Sequence, residues 1–259
     1  MRTARVTAPA PAISFENLTL GYDRHPAVHH VTGDIAPGTL LAIVGSNGAG
    51  KSTLLKALVG ELKPLSGRID FHGHDKRDIA YLPQVVEIDR SFPISVFDCV
   101  AMGLWREIGA SGGLDRACVA RVGDALAAVH LTGLAGRPVG ALSGGQFQRV
   151  LFARLLLQDA KIILLDEPFR AVDAKTIVDL IGLIEQWHAE ERTVVAVLHD
   201  IDLVGRYFPQ TLLLAREVLA WGDTTAVLTP INLDISRQFN EGYDEHAEIC
   251  DHDEARETA

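Results

Sequence analysis

Lys51 and Ser52 close a glycine-rich run, Gly45-Ser46-Asn47-Gly48-Ala49-Gly50, and the combination is suited to gripping phosphate. Glycines at this spacing let successive backbone N–H groups converge on phosphate oxygens without obstruction by Cβ atoms. A helix starting at the end of the run adds its positive N-terminal end. A lysine there reaches β- and γ-phosphates, and the next hydroxyl can ligate Mg²⁺, which is the P-loop pattern. Gly45 through Ser52, with Thr53 beyond, are therefore candidate nucleotide-binding residues. A second glycine-rich turn, Leu142-Ser143-Gly144-Gly145-Gln146, opens another helix. Its N–H groups could meet an anion, although a Ser-Gly-Gly turn alone is usually only a helix cap.

Two adjacent carboxylates supply the other half of a phosphoryl-transfer site. Ile162-Ile163-Leu164-Leu165 is an apolar run that ends in Asp166-Glu167, and Pro168 stops it. Parallel strands present ligands at their C-terminal ends, which is where these acids fall. Asp166 is the candidate Mg²⁺ ligand, directly or through water. Glu167 is the candidate general base for an attacking water. Alone, the pair reads equally as a solvated strand end; the upstream P-loop gives it meaning.

The elements that must carry these residues are legible. Leu40 to Val44 is continuous and apolar, as in a strand buried on both faces, and it enters the glycine loop directly. Ser52 to Val59 follows with helical spacing and Gly60 ends it. Ile13 to Phe15 and Leu18 to Leu20 are short extended candidates, and another strand ends at Tyr81-Leu82-Pro83-Gln84. From Val96 to about Leu134 the pattern is helical, broken by glycines around Gly109 to Gly113. Then come a helix (Gln146 to Leu157), a strand (Lys161 to Leu165), a helix (Ala174 to His188) and a strand (Thr193 to Leu198). This alternation predicts an α/β fold with a mostly parallel sheet covered on both sides.

Composition agrees and excludes other classes. The chain has 259 residues, 47% hydrophobic and 22% charged, which suits an α/β protein with a substantial core. No apolar run approaches the roughly 18 residues of a membrane span. Met1 to Ala12 is Ala/Pro-rich with two arginines and no apolar core, so it reads as a disordered tail rather than a signal peptide. Net charge is −10, but Glu241 to Ala259 holds eight acids and one arginine, leaving about −3 elsewhere. No basic stripe of the kind nucleic acid requires is present, so no nucleic-acid partner is expected. Cys99, Cys118 and Cys250 are scattered, which implies a reducing compartment without structural disulfides.

Leu142 to Gln146, followed by the Asp166-Glu167 strand, resembles the signature motif of ABC-type ATPases. The resemblance covers about residues 13–225. It implies a P-loop NTPase (RecA-like) core with an N-terminal antiparallel β subdomain and an inserted α-helical subdomain. The expected organisation is a tail over 1–12, the ATPase domain over 13–240 with its helical part at about 88–155, and an acidic tail over 241–259. It further implies a head-to-tail dimer in which the P-loop of one copy and Ser143, Gly144, Gly145 and Gln146 of the other close on one ATP. By the same likeness Tyr22 stacks on adenine and Gln84 contacts Mg²⁺ or water. Asp173 belongs to the loop at the dimer interface, and His199 contacts the γ-phosphate. Arg170 departs from the pattern, standing where the family often has a small residue; a salt bridge across the dimer or a phosphate contact is open to it, but it is read first as a solvated interface residue and given no catalytic role.

Residues 88–103, with Tyr81 to Gln84 and Glu167-Pro168-Phe169, resemble the ATPase subunits of zinc and manganese importers and, less closely, those for iron chelates. This likeness implies integral membrane permease subunits as partners and an extracytoplasmic metal-binding protein beyond them. It places the chain at the cytoplasmic face of the membrane, and Phe92, Ile94, Val96 and Phe97 suit a groove that receives a permease helix, although some of them fill the core of the helical lobe instead. Zinc is the first reading, with manganese and iron chelates as alternatives. His246, Cys250 and His252 in the acidic tail, and His29-His30 and His72-Gly73-His74 elsewhere, are a weaker hint of metal binding. The tail reads more simply as a solvated acidic segment. Rival readings are a soluble ABC ATPase such as a cluster-assembly scaffold, and a small-molecule kinase.

Overall fold

A computed structural model describes residues 10–23, 25–84, 93–109, 112–170 and 172–241. The chain opens with β1 (Ile13–Tyr22) and β2 (His25–Ile35), paired antiparallel. Next, β3 (Leu40–Val44), buried at every position, runs into the glycine loop and α1 (Lys51–Leu58). After α1, β4 (Ser66–Asp70) returns to β1 and completes a three-stranded sheet in the order β2-β1-β4. The short β5 (Ile79–Leu82) then leads into a helical lobe of α2 (Val96–Ala101), α3 (Trp105–Ile108) and α4 (Arg116–Ala128).

From the lobe, α5 (Gly144–Gln158) brings the chain back to the core. There follow β6 (Ile162–Asp166), α6 (Ala174–Ala189), β7 (Thr193–Val197), α7 (Ile201–Tyr207) and β8 (Gln210–Ala215). Last come β9 (Glu217–Asp223), α8 (Thr224–Val227) and α9 (Pro230–Glu241). The second sheet has the order β5-β6-β7-β3-β8-β9, all parallel except the edge strand β9. Consequently β3, β6 and β7 end on one edge of the sheet, where a ligand can meet all three loops.

Period-2 alternation explains why the central strands read as unbroken apolar runs. Leu41, Ile43, Ile162, Leu164, Val195 and Val197 pack with α1 and the antiparallel sheet. Leu40, Ala42, Ile163, Leu165, Val194 and Ala196 pack on the other side with α5, α6 and the helical lobe. Both faces are dry, so no polar alternation survives. Among the described residues no helix is long and apolar enough to cross a membrane.

Several expectations shift. The helix after Ser143 starts at Gly144, two residues before the hydrophobic pattern begins, because its cap residue sets the start. That same helix ends at Gln158, one residue past the expected Leu157. Val96 is fully buried in the lobe with Cys99, Val100 and Val122, so it is not part of any exposed groove. Ile94 and Phe97 are partly buried against that core, and Phe92 lies outside the described residues. The lobe's exposed large apolar side chains are instead Met102, Trp105 and Val119.

Phe152 of α5 stacks on Trp187 of α6, with ring centroids 5.8 Å apart and planes 7° from parallel. Trp187 is 2% exposed, so the pair fixes these two helices beneath the sheet. Trp187→Ala should cost about 3–5 kcal/mol of unfolding free energy, read from urea denaturation.

Candidate functional site

The glycine loop is shaped by what surrounds it. Gly45 has φ 154° and Gly50 has φ 91°, both on the side of the backbone map that favours glycine. A Cβ on Gly45 would meet the carbonyl oxygen of Leu214 in β8, and one on Gly50 would meet Val28 Cγ2 of β2. Both strands therefore press against the loop and hold its curve. Lys51 is only 6% exposed, and its Nζ donates to Gly45 O at 2.9 Å and Ser46 O at 2.7 Å. The ammonium thus arches back over the loop it follows. Burial pulls its pKa down, while the nearby charges of Glu167 and Asp166 work to hold it up.

Asp166 ends β6 directly beneath the loop. It is 2% exposed and accepts a hydrogen bond from Ser52 Oγ at 3.0 Å. Burial pushes its carboxyl above the ordinary range, with the Glu167 charge adding to the effect and Ser52 and Lys51 opposing it. A buried carboxylate beside a hydroxyl is an all-oxygen donor set, and hard divalent cations such as Mg²⁺ take such sets. The residues fit the ion.

Glu167 is the next residue, and its backbone turns to φ 49° while its N–H donates to Val197 O of β7 at 3.1 Å. Its Oε1 lies 2.6 Å from His199 Nε2, and its Oε2 lies 3.8 Å from Arg170 Nη1. An ionised carboxylate only accepts, so Nε2 carries the proton in this contact. Burial pushes the Glu167 carboxyl up, but hydrogen bonds from His199 and Gln84 and the charges of His199 and Arg170 outweigh it and hold it below the ordinary range.

One open cleft of about 280 Å³ gathers Asn47, Gly48, Gly50, Lys51, Ser52, Thr53, Gln84, Glu167 and His199. Tyr22, 48% exposed at the end of β1, has Lys56 of α1 at 6.0 Å from its ring. Ser143, Gly144, Gly145, Gln146 and Asp173 do not line this cleft. Ser143 and Gln146 instead cap α5 reciprocally: Gln146 N donates to Ser143 Oγ at 3.2 Å and Ser143 N to Gln146 Oε1 at 3.0 Å. Asp173 caps α6 through Thr176 N at 3.0 Å and Thr176 Oγ1 at 2.8 Å.

Sequence reasoning missed two features here. Arg149 Nη2 bridges α5 to α6 through Thr176 Oγ1 at 3.1 Å and Asp179 Oδ2 at 2.6 Å. Arg170 pairs with Glu167 within the chain, a contact that its position three residues downstream could have signalled. The histidines elsewhere have other partners: His72 Nε2 is 2.7 Å from Ser14 Oγ, and His74 Nδ1 is 3.6 Å from Asp78 Oδ2. No group of three metal-ligating residues occurs among the described residues; His246, Cys250 and His252 lie outside them.

A carboxyl whose folded pKa is raised costs stability above its unfolded value, and that cost fades as pH falls through the folded value. Removing the charge should do the same at neutral pH. Asp166→Asn is expected to raise the thermal midpoint of the nucleotide-free chain by about 2–4 °C, while the further rise given by Mg-ATP shrinks; differential scanning fluorimetry reads both.

Comparison with known proteins extends this geometry. Residues 28–170 match the family model described as ABC transporter. The zinc transport system ATP-binding protein TroB of Treponema pallidum is 38% identical over 87% of this chain and 86% of that protein. The manganese transport system ATP-binding protein MntA of Synechocystis is 37% identical over 86% of this chain and 89% of that protein. A solved inward-facing ABC transporter assigned to the metal-chelate type is 33% identical, with TM-score 0.78 over 88% of this chain and 90% of that one. A chain with this loop, these carboxylates and these relatives belongs to the ABC transporter family, as one of its ATP-binding, ATP-hydrolysing subunits.

Proposed function

We propose that two copies of this chain bind Mg-ATP head to tail and use its hydrolysis to drive import of a divalent metal ion through membrane permease subunits. In this reading Lys51 leaves the Gly45 and Ser46 carbonyls to donate to the β- and γ-phosphates. Ser52 and Asp166 hold the metal, which neutralises phosphate charge when bound. Gln84 sits beside them as a sensor of the same oxygens. Glu167 takes a proton from the attacking water, and His199 orients that carboxylate and meets the γ-phosphate. The adenine stacks on Tyr22, whose side chain is exposed.

One observation carries the dimer. Ser143 to Gln146 and Asp173 do not line the cleft of their own chain, which supports their helix N-termini meeting a phosphate held by another copy. The permeases place the chain at the cytoplasmic face. For the cargo, likeness to the Treponema pallidum zinc subunit supports zinc; the manganese subunits of Synechocystis and Listeria monocytogenes, 37% and 38% identical, support manganese as the second reading.

Glu167→Gln should lower turnover by about 10²–10⁴ and leave a Mg-ATP-bound dimer visible by light scattering. Ser143→Arg should block that dimer while leaving ATP binding to the monomer intact. A Glu167→Gln chain that stays monomeric in saturating Mg-ATP would overturn the dimer. Uptake of radioactive zinc and manganese by cells lacking this chain, with and without its restoration, separates the two cargoes.

A further inference from the structure

Glu167 is held from two sides by different side chains. His199 reaches Oε1 at 2.6 Å, and Arg170 faces Oε2 at 3.8 Å. Backbone geometry makes the second contact local, because Arg170 N also donates to Glu167 O at 3.2 Å. Glu167 itself sits at φ 49°, a conformation that a non-glycine residue keeps only when its surroundings impose it. Its carboxylate stands between two cavities. One is the glycine-loop cleft; the other is mostly apolar, walled by Phe169, Ile177, Leu198 and Leu203. His199 borders both, whereas Arg170 borders only the second. Arg170 therefore pulls on Glu167 from the side away from the phosphate loop.

We propose that Arg170 is a positioning residue for Glu167: its guanidinium restrains Oε2, so the carboxylate keeps one orientation toward the phosphate cleft. The inference rests on the reading of Glu167 as the base. Without Arg170 the side chain is anchored at Oε1 alone and spends part of its time turned away. The Arg170 side chain is 63% exposed, so the restraint is modest and weakened by salt. An exposed pair of this kind is worth roughly two- to fivefold in an equilibrium between orientations.

Steady-state Mg-ATP hydrolysis by the full chain tests this in Arg170→Met, Arg170→Lys and Glu167→Gln variants at low and high ionic strength. Arg170→Met, which keeps length and loses charge, should lower kcat about two- to fivefold with KM for ATP unchanged. Arg170→Lys should retain most of the turnover, and the Arg170→Met deficit should shrink in about 1 M salt. An unchanged or raised kcat in Arg170→Met, a rise in KM alone, or equal losses in the Met and Lys variants would overturn the role. If Glu167→Gln hydrolyses like wild type, the base reading itself fails. If Glu167→Gln is inactive and Arg170→Met is unaffected, only the role of Arg170 falls.

Discussion

Burying Lys51 and Asp166 at the ends of dry strands is the constraint around which this chain is organised. At 6% and 2% exposure, neither charge has bulk water to solvate it. Lys51 is kept by two loop carbonyls and Asp166 by Ser52, so the phosphate loop and β6 supply hydrogen bonds in place of solvent. Each of these buried charges is costly to desolvate. Together they are nonetheless the arrangement a triphosphate with its cation would complete, because new partners would meet charges that are already desolvated and aimed.

The sheet order makes the assembly possible. β3 delivers the glycine loop, its neighbour β7 delivers His199, and β6 beyond it delivers Asp166 and Glu167. Each strand is short and apolar on both faces, so register is fixed by two cores rather than one. Pressure from β2 and β8 on Gly50 and Gly45 then shapes the loop from outside. Local glycine content permits the turn; tertiary packing chooses it.

Much of this was legible in the residues. The apolar runs at Leu40 to Val44, Ile162 to Leu165 and Val194 to Leu198 located three strands of the sheet, because burial on both faces leaves an unmistakable sequence trace. The cleft grouping Lys51, Ser52, Gln84, Glu167 and His199 follows from motifs spread over more than a hundred positions. What escaped was of two kinds. Groove and core stayed open for Val96 because hydrophobicity does not say which side a residue faces in a short helix, and here it faces inward. The Arg149 bridge depends on how α5 and α6 lie against each other, and the Arg170 contact on the turn that follows β6. The C-terminal β8–β9 hairpin and α9 likewise left no motif to read.

Arg149 gives α5 and α6 a shared hinge-free joint. Thr176, whose N–H is capped by Asp173, is bonded to the same guanidinium that rises from α5, and a Cβ on Gly145 would stand 3.1 Å from Asp173 Oδ2. Farther along, Phe152 and Trp187 clamp the two rods a second time. Two fixings between the helices resist their separation. A displacement of the glycine turn that opens α5 would therefore be shared with α6.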